Sequence, residues 1–327
     1  MGVDIRRIGV LTSGGDAPGM NAAIRSVVRT AVYKGLEVRG IMRGYEGLIA
    51  GEIFELSSRS VSNILGRGGT ILKTARSREF LTEAGQMKAV KVIRDNGIDA
   101  LVIIGGNGSL QGAMALERVG DVRTIGVPGT IDNDLGGTDY TIGCNTSVDT
   151  VLDAIDKIRD TVTSMERVYV VEVMGREEPY IAVRAGLAGG TEEVLYPGNT
   201  MDLKTVASDI KKAKTKGKRS WIIIVAEGYG SAVAISREIE SLTGYEVRPV
   251  TLGHIQRGGS PTAPDRILAS VMGAYAVESI VSGKTGKMVA IKGHGLDLVD
   301  YKEACFEREK DKKLNSDLYS TTKLLAS

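Results

Sequence analysis

Short apolar runs that end abruptly in glycine-rich loops and then give way to helical spacing constrain this chain more than any other feature. Ile5 to Thr12 is such a run. It stops at Ser13-Gly14-Gly15-Asp16-Ala17-Pro18-Gly19, after which Ala22, Ala23, Val27 and Ala31 recur at helical intervals. The same change occurs at Ala100 to Ile104 before Gly105-Gly106-Asn107-Gly108-Ser109, and at Thr124 to Val127 before Pro128-Gly129-Thr130. Further buried-type runs are Val168 to Val173, Trp221 to Ala226, Val247 to Leu252 and Met288 to Ile291, with helical patterns such as Val148 to Asp160 and Ala263 to Ile280 between them. Continuous apolar strands alternating with helices predict parallel sheets covered on both faces, so the expected fold class is α/β, doubly wound. Ligands of such sheets sit at the carboxyl ends of strands, and the loops after Leu11, Ile104 and Val127 are expected to converge on one crevice.

The chain carries 42 glycines in 327 residues, about twice the usual share of about 7%. They follow β-branched runs rather than forming a low-complexity tract, which is where backbone must approach a ligand closely. The length suits about two domains. With 42 Lys and Arg against 40 Asp and Glu the net charge is +2, which argues against a nucleic-acid coat or a polybasic membrane binder. Two cysteines, Cys144 and Cys305, and two histidines, His254 and His294, supply neither a zinc cluster nor a disulfide framework, as expected in a reducing cytoplasm. Ile8 to Leu11 is too short for a signal sequence, and no run approaches about 18 apolar residues, so neither export nor membrane spanning is expected.

The loop Gly14 to Gly19 offers N–H groups and a helix N-terminus to an anion, without the spacing of a P-loop or a dinucleotide fingerprint; a tight turn is the alternative. Asn21 and Arg25 either serve that loop or form helix surface. In Gly105 to Ser109 the glycines admit phosphates, and Asn107 either orients water or metal or is a left-handed turn residue. Thr130-Ile131-Asp132-Asn133-Asp134 is the most chemical segment. If it is extended, Asp132 and Asp134 share a side, one fit to take a proton and the other to hold a hydrated Mg²⁺; the alternative is a turn with solvated aspartates. Met174-Gly175-Arg176, Arg167 and Gly253 through Pro261 bring arginines and a histidine to strand ends, the donors a sugar phosphate requires, although each arginine taken singly also suits a surface ion pair. Glu227 is fit to accept from sugar hydroxyls or to sit at a helix N-terminus. No nucleophile loop accompanies the histidines or cysteines, which disfavours covalent catalysis. The remaining parts are those of direct phosphoryl transfer.

Together Leu11 through Asn21, Pro128 through Asp134, Met174-Gly175-Arg176 and Gly253 through Pro261 resemble the bacterial-type 6-phosphofructokinase family, and the resemblance runs almost end to end. It implies ATP-dependent phosphorylation of fructose 6-phosphate at the 1-hydroxyl. Asp132 would then be the base, with Thr130 and Asp134 beside it around substrate and Mg²⁺, and Arg176 would stabilise transferred charge. Met174, Gly175 and Glu227 would meet the sugar, and His254 and Arg257 its phosphate. Arg167 and Arg248 match arginines that reach the sugar phosphate from a neighbouring subunit, which implies a homotetramer. Gly15, Tyr45, Arg76, Gly106, Asn107, Gly108, Ser109 and Gly112 match the nucleotide side. Gly108 and Gly129 match the ATP-using pattern, since pyrophosphate-using relatives carry Asp and Lys there. Arg25, Arg29, Arg159, Glu192, Lys216 and Lys218 match a regulatory nucleotide site for ADP or phosphoenolpyruvate.

The chain departs from the family at several points. Asn107 replaces a usual acidic metal ligand, Ser77 an aromatic residue after Arg76, and Glu177-Glu178-Pro179 the usual stretch after Met-Gly-Arg. Glu52 stands where well-regulated members carry arginine, and a carboxylate there repels effector phosphates. The alternatives are a pyrophosphate-dependent or other sugar-phosphate kinase, and a catalytically silent regulatory subunit. The expected domains are residues 1–140 with about 256–305 for nucleotide, and about 141–255 with 306–327 for sugar phosphate.

Overall fold

Ile8, Val10 and Leu11 and the run Leu101 to Ile104 are completely buried strand residues in the computed structural model, which describes residues 5–165, 167–199, 201–218, 220–306 and 312–326. From the N-terminus the chain runs β1 (Arg7–Ser13), α1 (Met20–Tyr33), β2 (Glu37–Ile41), α2 (Gly44–Ala50), β3 (Ile53–Leu56), α3 (Glu83–Asp95), β4 (Ala100–Gly105), α4 (Asn107–Gly120), β5 (Arg123–Thr130) and β6 (Ile142–Gly143). Next come α5 (Cys144–Met165), β7 (Val168–Val173), α6 (Tyr180–Ala188), β8 (Glu193–Leu195), α7 (Leu203–Thr215), β9 (Trp221–Ala226), α8 (Ala232–Thr243) and β10 (Val247–Thr251). The path continues through α9 (Ala263–Val281), β11 (Lys287–Lys292), β12 (Gly295–Asp300), α10 (Tyr301–Phe306) and α11 (Lys312–Ala326).

The chain divides into two compact units, Met1–Thr146 with Arg257–Glu309, and Ser147–Gln256 with Lys310–Ser327. The first division falls at Thr146 rather than near Tyr140, because the start of α5 is held in the first unit. The completely buried Asp265 accepts from the Gly143 N–H at 2.9 Å and from the Thr146 N–H at 2.8 Å, capping that helix with a carboxylate from α9.

In the first unit the strand order is β12-β11-β5-β4-β1-β2-β3, with β6 on β5. The central pairings are parallel, and β3 and β12 close the edges antiparallel. Leu11, Leu101, Ile103, Leu110 and Leu116 anchor its core. Pro128-Gly129-Thr130, expected as a loop, is the end of β5: Gly129 and Thr130 pair with Ile142 and Gly143 of β6. Helices α1 and α9 approach closely at Gly273, where a Cβ would lie 2.8 Å from the Ala23 carbonyl oxygen. In the second unit the order β10-β7-β9-β8 is wholly parallel, over a core that includes Val168, Val170, Ile223, Val225 and Ile239. Among the described residues no helix is long and apolar enough to cross a membrane.

Candidate active site

Three adjacent strands of the first unit, β5, β4 and β1, end level with one another: Ser13 is opposite Gly105, and Gly105 opposite Pro128. Because β2 lies on one side of β1 and β4 on the other, the chain reverses direction across the sheet there, which opens a crevice above the strand ends. A pocket of about 590 Å³ occupies it. Its walls are Ser13-Gly14-Gly15, Gly106 through Ser109, Gly129-Thr130, Asp132, Asp134, Tyr45, Ala75 through Arg78, Phe80, Leu81 and Arg257.

Each wall has a local cause. Gly14 takes a left-handed turn, φ 84°, and a Cβ at Gly15 would run into the Arg257 guanidinium, whose Nη1 donates to the Asp16 carbonyl at 3.2 Å. Gly106 caps α4, so the N-terminus of a 14-residue helix opens into the pocket and favours an anion. Beside it the buried Ser109 hydroxyl has no hydrogen-bond partner among the described residues. Gly108 has open space where its Cβ would stand. Asn21 is not helix surface: it is buried, donating to the Arg67 and Gly68 carbonyls and accepting from the Ile71 N–H at 2.8 Å, so it ties down the segment that leads to Arg76.

Tyr45 is nearly buried, donates to the Ser109 carbonyl at 2.5 Å and stacks on Phe80 with ring centroids 4.0 Å apart. Burial pushes its phenol well above its ordinary range, so it stays protonated. Gly112 does not line the pocket; it makes room for Tyr45, since a Cβ there would sit 2.5 Å from the ring. Arg78 and Phe80, which the sequence did not single out, line the pocket beside Arg76 and Ser77. They lie between Leu72 and α3 in a stretch with no strand or helix period, so no pattern marked them.

The aspartate segment is not extended. Asn133 is left-handed, φ 47°, and donates to the Asp139 carbonyl at 3.1 Å, so the chain turns between the two carboxylates. Asn tolerates this conformation because its short polar side chain bonds locally. Asp132 and Asp134 are both half-buried and both line the pocket, so the turn brings together what a shared strand face was expected to. Thr130 steadies the approach: its hydroxyl accepts from the Asp132 N–H at 3.3 Å, and its carbonyl accepts from the Thr141 hydroxyl at 2.6 Å.

Among the described residues no group of three His, Cys, Asp or Glu converges on a metal position. Mg²⁺ requires less, since it takes one or two carboxylates and completes its shell with water and substrate phosphates. Asp132 and Asp134 fit that demand. Asn107 also faces the pocket, with its side-chain carbonyl accepting from Gln111 Nε2 at 2.8 Å.

In the second unit β7 and β9 end side by side, Val173 opposite Ala226, which sets Met174-Gly175-Arg176 next to Glu227. Arg176 Nε donates to Glu227 at 3.1 Å, and Gly175 adopts φ 133°, where its Cβ would press on the Glu178 carbonyl. Glu227 is not a helix N-terminal carboxylate; α8 begins at Ala232 with Ser231 as its cap. His254 is exposed on a short 3-10 turn, Gly253–Arg257, after β10. Arg167 and Arg248 flank one carboxylate: Arg167 Nε donates to Glu246 at 2.8 Å and Arg248 pairs with its other oxygen.

Of the regulatory matches, Arg25 and Arg29 lie on α1 in the first unit and the others in the second. Arg159 donates to the Gly189 and Gly190 carbonyls, Lys216 ends α7, and Lys218 bridges Glu192 at 3.2 Å and the Ala326 carbonyl at 2.9 Å. Glu52 is engaged by the Arg43 guanidinium at both oxygens, which lowers its pKa and compensates its charge; the expected repulsion of phosphate is blunted accordingly.

Residues 7–280 match the family model for phosphofructokinase. The chain is 55% identical over 311 residues to the ATP-dependent 6-phosphofructokinase of Clostridium botulinum (strain Hall), covering 95% of this chain and 97% of that one. It is 53% identical over 322 residues to the enzyme of the same name from Clostridium acetobutylicum, covering 98% and 100%. A solved phosphofructokinase from Saccharomyces cerevisiae superposes with a TM-score of 0.85 at 31% identity, covering 98% of this chain and 48% of the yeast chain, so the present chain spans about half that protein's length.

Proposed function

The chain belongs to the phosphofructokinase family, and from that premise we propose that it transfers the γ-phosphoryl group of ATP to the 1-hydroxyl of fructose 6-phosphate, giving fructose 1,6-bisphosphate and ADP in glycolysis. One observation carries the chemistry. A single pocket gathers two glycine loops, a helix N-terminus and two half-buried aspartates with Arg76 and Arg78, neither of which has an ion-pair partner among the described residues. Unpaired guanidinium groups facing N–H donors match a polyphosphate, and carboxylates beside them match a proton acceptor and a metal.

In this proposal the first unit holds the nucleotide through Gly15, Tyr45, Arg76, Gly106, Asn107, Gly108 and Ser109, with Gly112 acting only through Tyr45. The second holds the sugar phosphate through Arg167, Met174, Gly175, Glu227, Arg248 and His254; Arg257, matched to that phosphate in sequence, lines the pocket of the first unit beside Gly15. Asp132 takes the proton of the 1-hydroxyl as that oxygen bonds to the γ-phosphorus and the bond to the departing ADP oxygen breaks. Asp134 would hold Mg²⁺, which when bound neutralises charge on the phosphates. Arg176 is the donor for the oxygens of the group in flight, and its present partner Glu227 is the one it would leave. Arg167 and Arg248 serve a neighbouring subunit of a homotetramer, and the regulatory matches serve an ADP or phosphoenolpyruvate site. Cys144 and Cys305 are buried and not joined in a disulfide, which fits a reducing cytoplasm.

A coupled assay of the purified protein with fructose 6-phosphate, run with ATP and with pyrophosphate in parallel, tests this. Turnover is expected with ATP and not with pyrophosphate. Turnover with pyrophosphate alone would reassign the donor, and none with either would make the chain a binding subunit.

A further inference from the structure

Gln256 lies inside the motif Gly253 through Pro261, and no role falls to it in the reaction as described. Its side chain is 0% exposed, and both ends of its amide are spent on backbone. The carbonyl oxygen accepts from the Met174 N–H at 3.2 Å, and the amide nitrogen donates to the Gly253 carbonyl at 3.0 Å. Met174 is the first residue beyond β7, and Gly253 the second beyond β10, the strand paired with β7. The two strand ends are already level there, since the Leu252 N–H donates to the Glu172 carbonyl at 3.1 Å. Past that bond the ladder stops and the two segments part, one into Gly175 and Arg176, the other into His254.

The backbone groups at the parting point are a donor on one segment and an acceptor on the other, so joining them takes a side chain with an acceptor and a donor at one end. Glutamine supplies both. Glutamate lacks the donor and would set a carboxylate against the Gly253 carbonyl, methionine keeps the volume and lacks both, and asparagine is one methylene shorter.

We propose that Gln256 is a positioning residue for sugar-phosphate binding, an amide clamp that sets the separation between the Met174-Gly175-Arg176 turn and the Gly253-His254 turn. It rests on the assignment of the second unit to the sugar phosphate. Its effect is expected to fall on that substrate, because Met174 and Gly253, the residues it joins, are in the second unit and neither lines the nucleotide pocket; Arg257, the next residue along, does line it, which is why the ATP constants are part of the test.

The test compares native enzyme with Gln256→Met and Gln256→Glu, measuring both Michaelis constants, kcat, and equilibrium binding of fructose 6-phosphate and of ATP separately. A buried group left without its partner corresponds to roughly a tenfold loss of affinity. Gln256→Met is therefore expected to raise the Michaelis and dissociation constants for fructose 6-phosphate about tenfold, and Gln256→Glu by more, with those for ATP held within about twofold. Native enzyme that neither binds nor phosphorylates fructose 6-phosphate would dismiss the sugar-phosphate assignment itself, before any variant is made. Given an active native enzyme, equal changes in both substrates' constants, or none, would overturn the clamp. Failure of both variants to fold would overturn it too, leaving Gln256 a structural residue; Gln256→Met, which matches the native volume and leaves no new charge buried, guards against that outcome arising from overpacking alone.

Discussion

Asp132 sits one residue before a left-handed asparagine and two after a threonine whose hydroxyl accepts from its N–H, so its carboxylate is carried on backbone fixed from both sides. Asp132→Ala removes the proposed base without removing a phosphate contact. Turnover is expected to fall roughly 10²–10⁴-fold while the Michaelis constant for the sugar changes little; steady-state kinetics within about threefold of native would show that the base lies elsewhere. Asn107 poses the opposite question, what an absent charge does. Its oxygen is engaged by Gln111, a donor that would equally serve a carboxylate, so Asn107→Asp introduces charge without orphaning a neighbour. Coulomb attraction at about 4 Å is roughly 4 kcal/mol at an effective dielectric near 20, before desolvation cancels much of it. The half-saturating Mg²⁺ concentration is expected to fall several-fold, and ATP affinity without Mg²⁺ to weaken. Superimposable Mg²⁺ titrations of the two enzymes would put Asn107 outside the metal's reach.

The element that organises the pocket proposed for the nucleotide is α4. Its N-terminus faces the anion position, while one turn in, Gly112 lets the Tyr45 ring lie against the helix and stack on Phe80. Glycine in the interior of a helix costs about 1 kcal/mol relative to alanine, so Gly112 makes this room at the expense of helix propensity. Gly112→Ala restores the propensity and places a methyl group 2.5 Å from ring carbons. Overpacking of this kind costs about 1–3 kcal/mol, enough to outweigh the gain. The urea midpoint is expected to drop. The Michaelis constant for ATP should rise as Tyr45 leaves the Ser109 carbonyl, while that for the sugar phosphate stays near native. A midpoint at or above the native value would mean that the ring yields freely. The same helix end shows why Gly106 and Gly112, six residues apart, look alike in sequence and differ in place: one caps a helix at the pocket, the other clears space for a side chain.

At the scale of the whole molecule, Glu246 holds Arg167 and Arg248 together at the start of the β7 and β10 pair, at the opposite end of those strands from Met174 and His254. Two arginines so far from the segments proposed to bind sugar within the same chain make sense if they serve another copy. Arg248→Ala is expected to raise the Michaelis constant for fructose 6-phosphate more than that for ATP, a charge-assisted hydrogen bond being worth about 1.5–3 kcal/mol. Mixed assemblies of the Asp132 and Arg248 variants, assayed at fructose 6-phosphate concentrations far below the raised Michaelis constant, should exceed the summed activities of the two variants alone; no gain despite demonstrated subunit exchange would confine each site to one chain. How much of this is legible without coordinates differs by level. The runs at Ile8, Leu101 and Val168 announce parallel strands because a strand covered on both faces must be apolar throughout, a strictly local requirement, and the glycine loops after them announce ligand turns for an equally local steric reason. That much the sequence determined by itself, along with Asp132 and Asp134 as two carboxylates of one short segment. Strand order is another matter: the loops after Leu11, Ile104 and Val127 are expected to meet in one crevice, and they do, but nothing in β5, β4 or β1 gives their order in the sheet, and the placing of Arg257 against Gly15, the entry of Arg78 and Phe80 into the wall and the clamp at Gln256 were decided only by tertiary structure. The turn at Asn133, the true end of β5 and the task of Gly112 belong with them, because each depends on what stands opposite a backbone or an absent Cβ, and that neighbour lies far away along the chain.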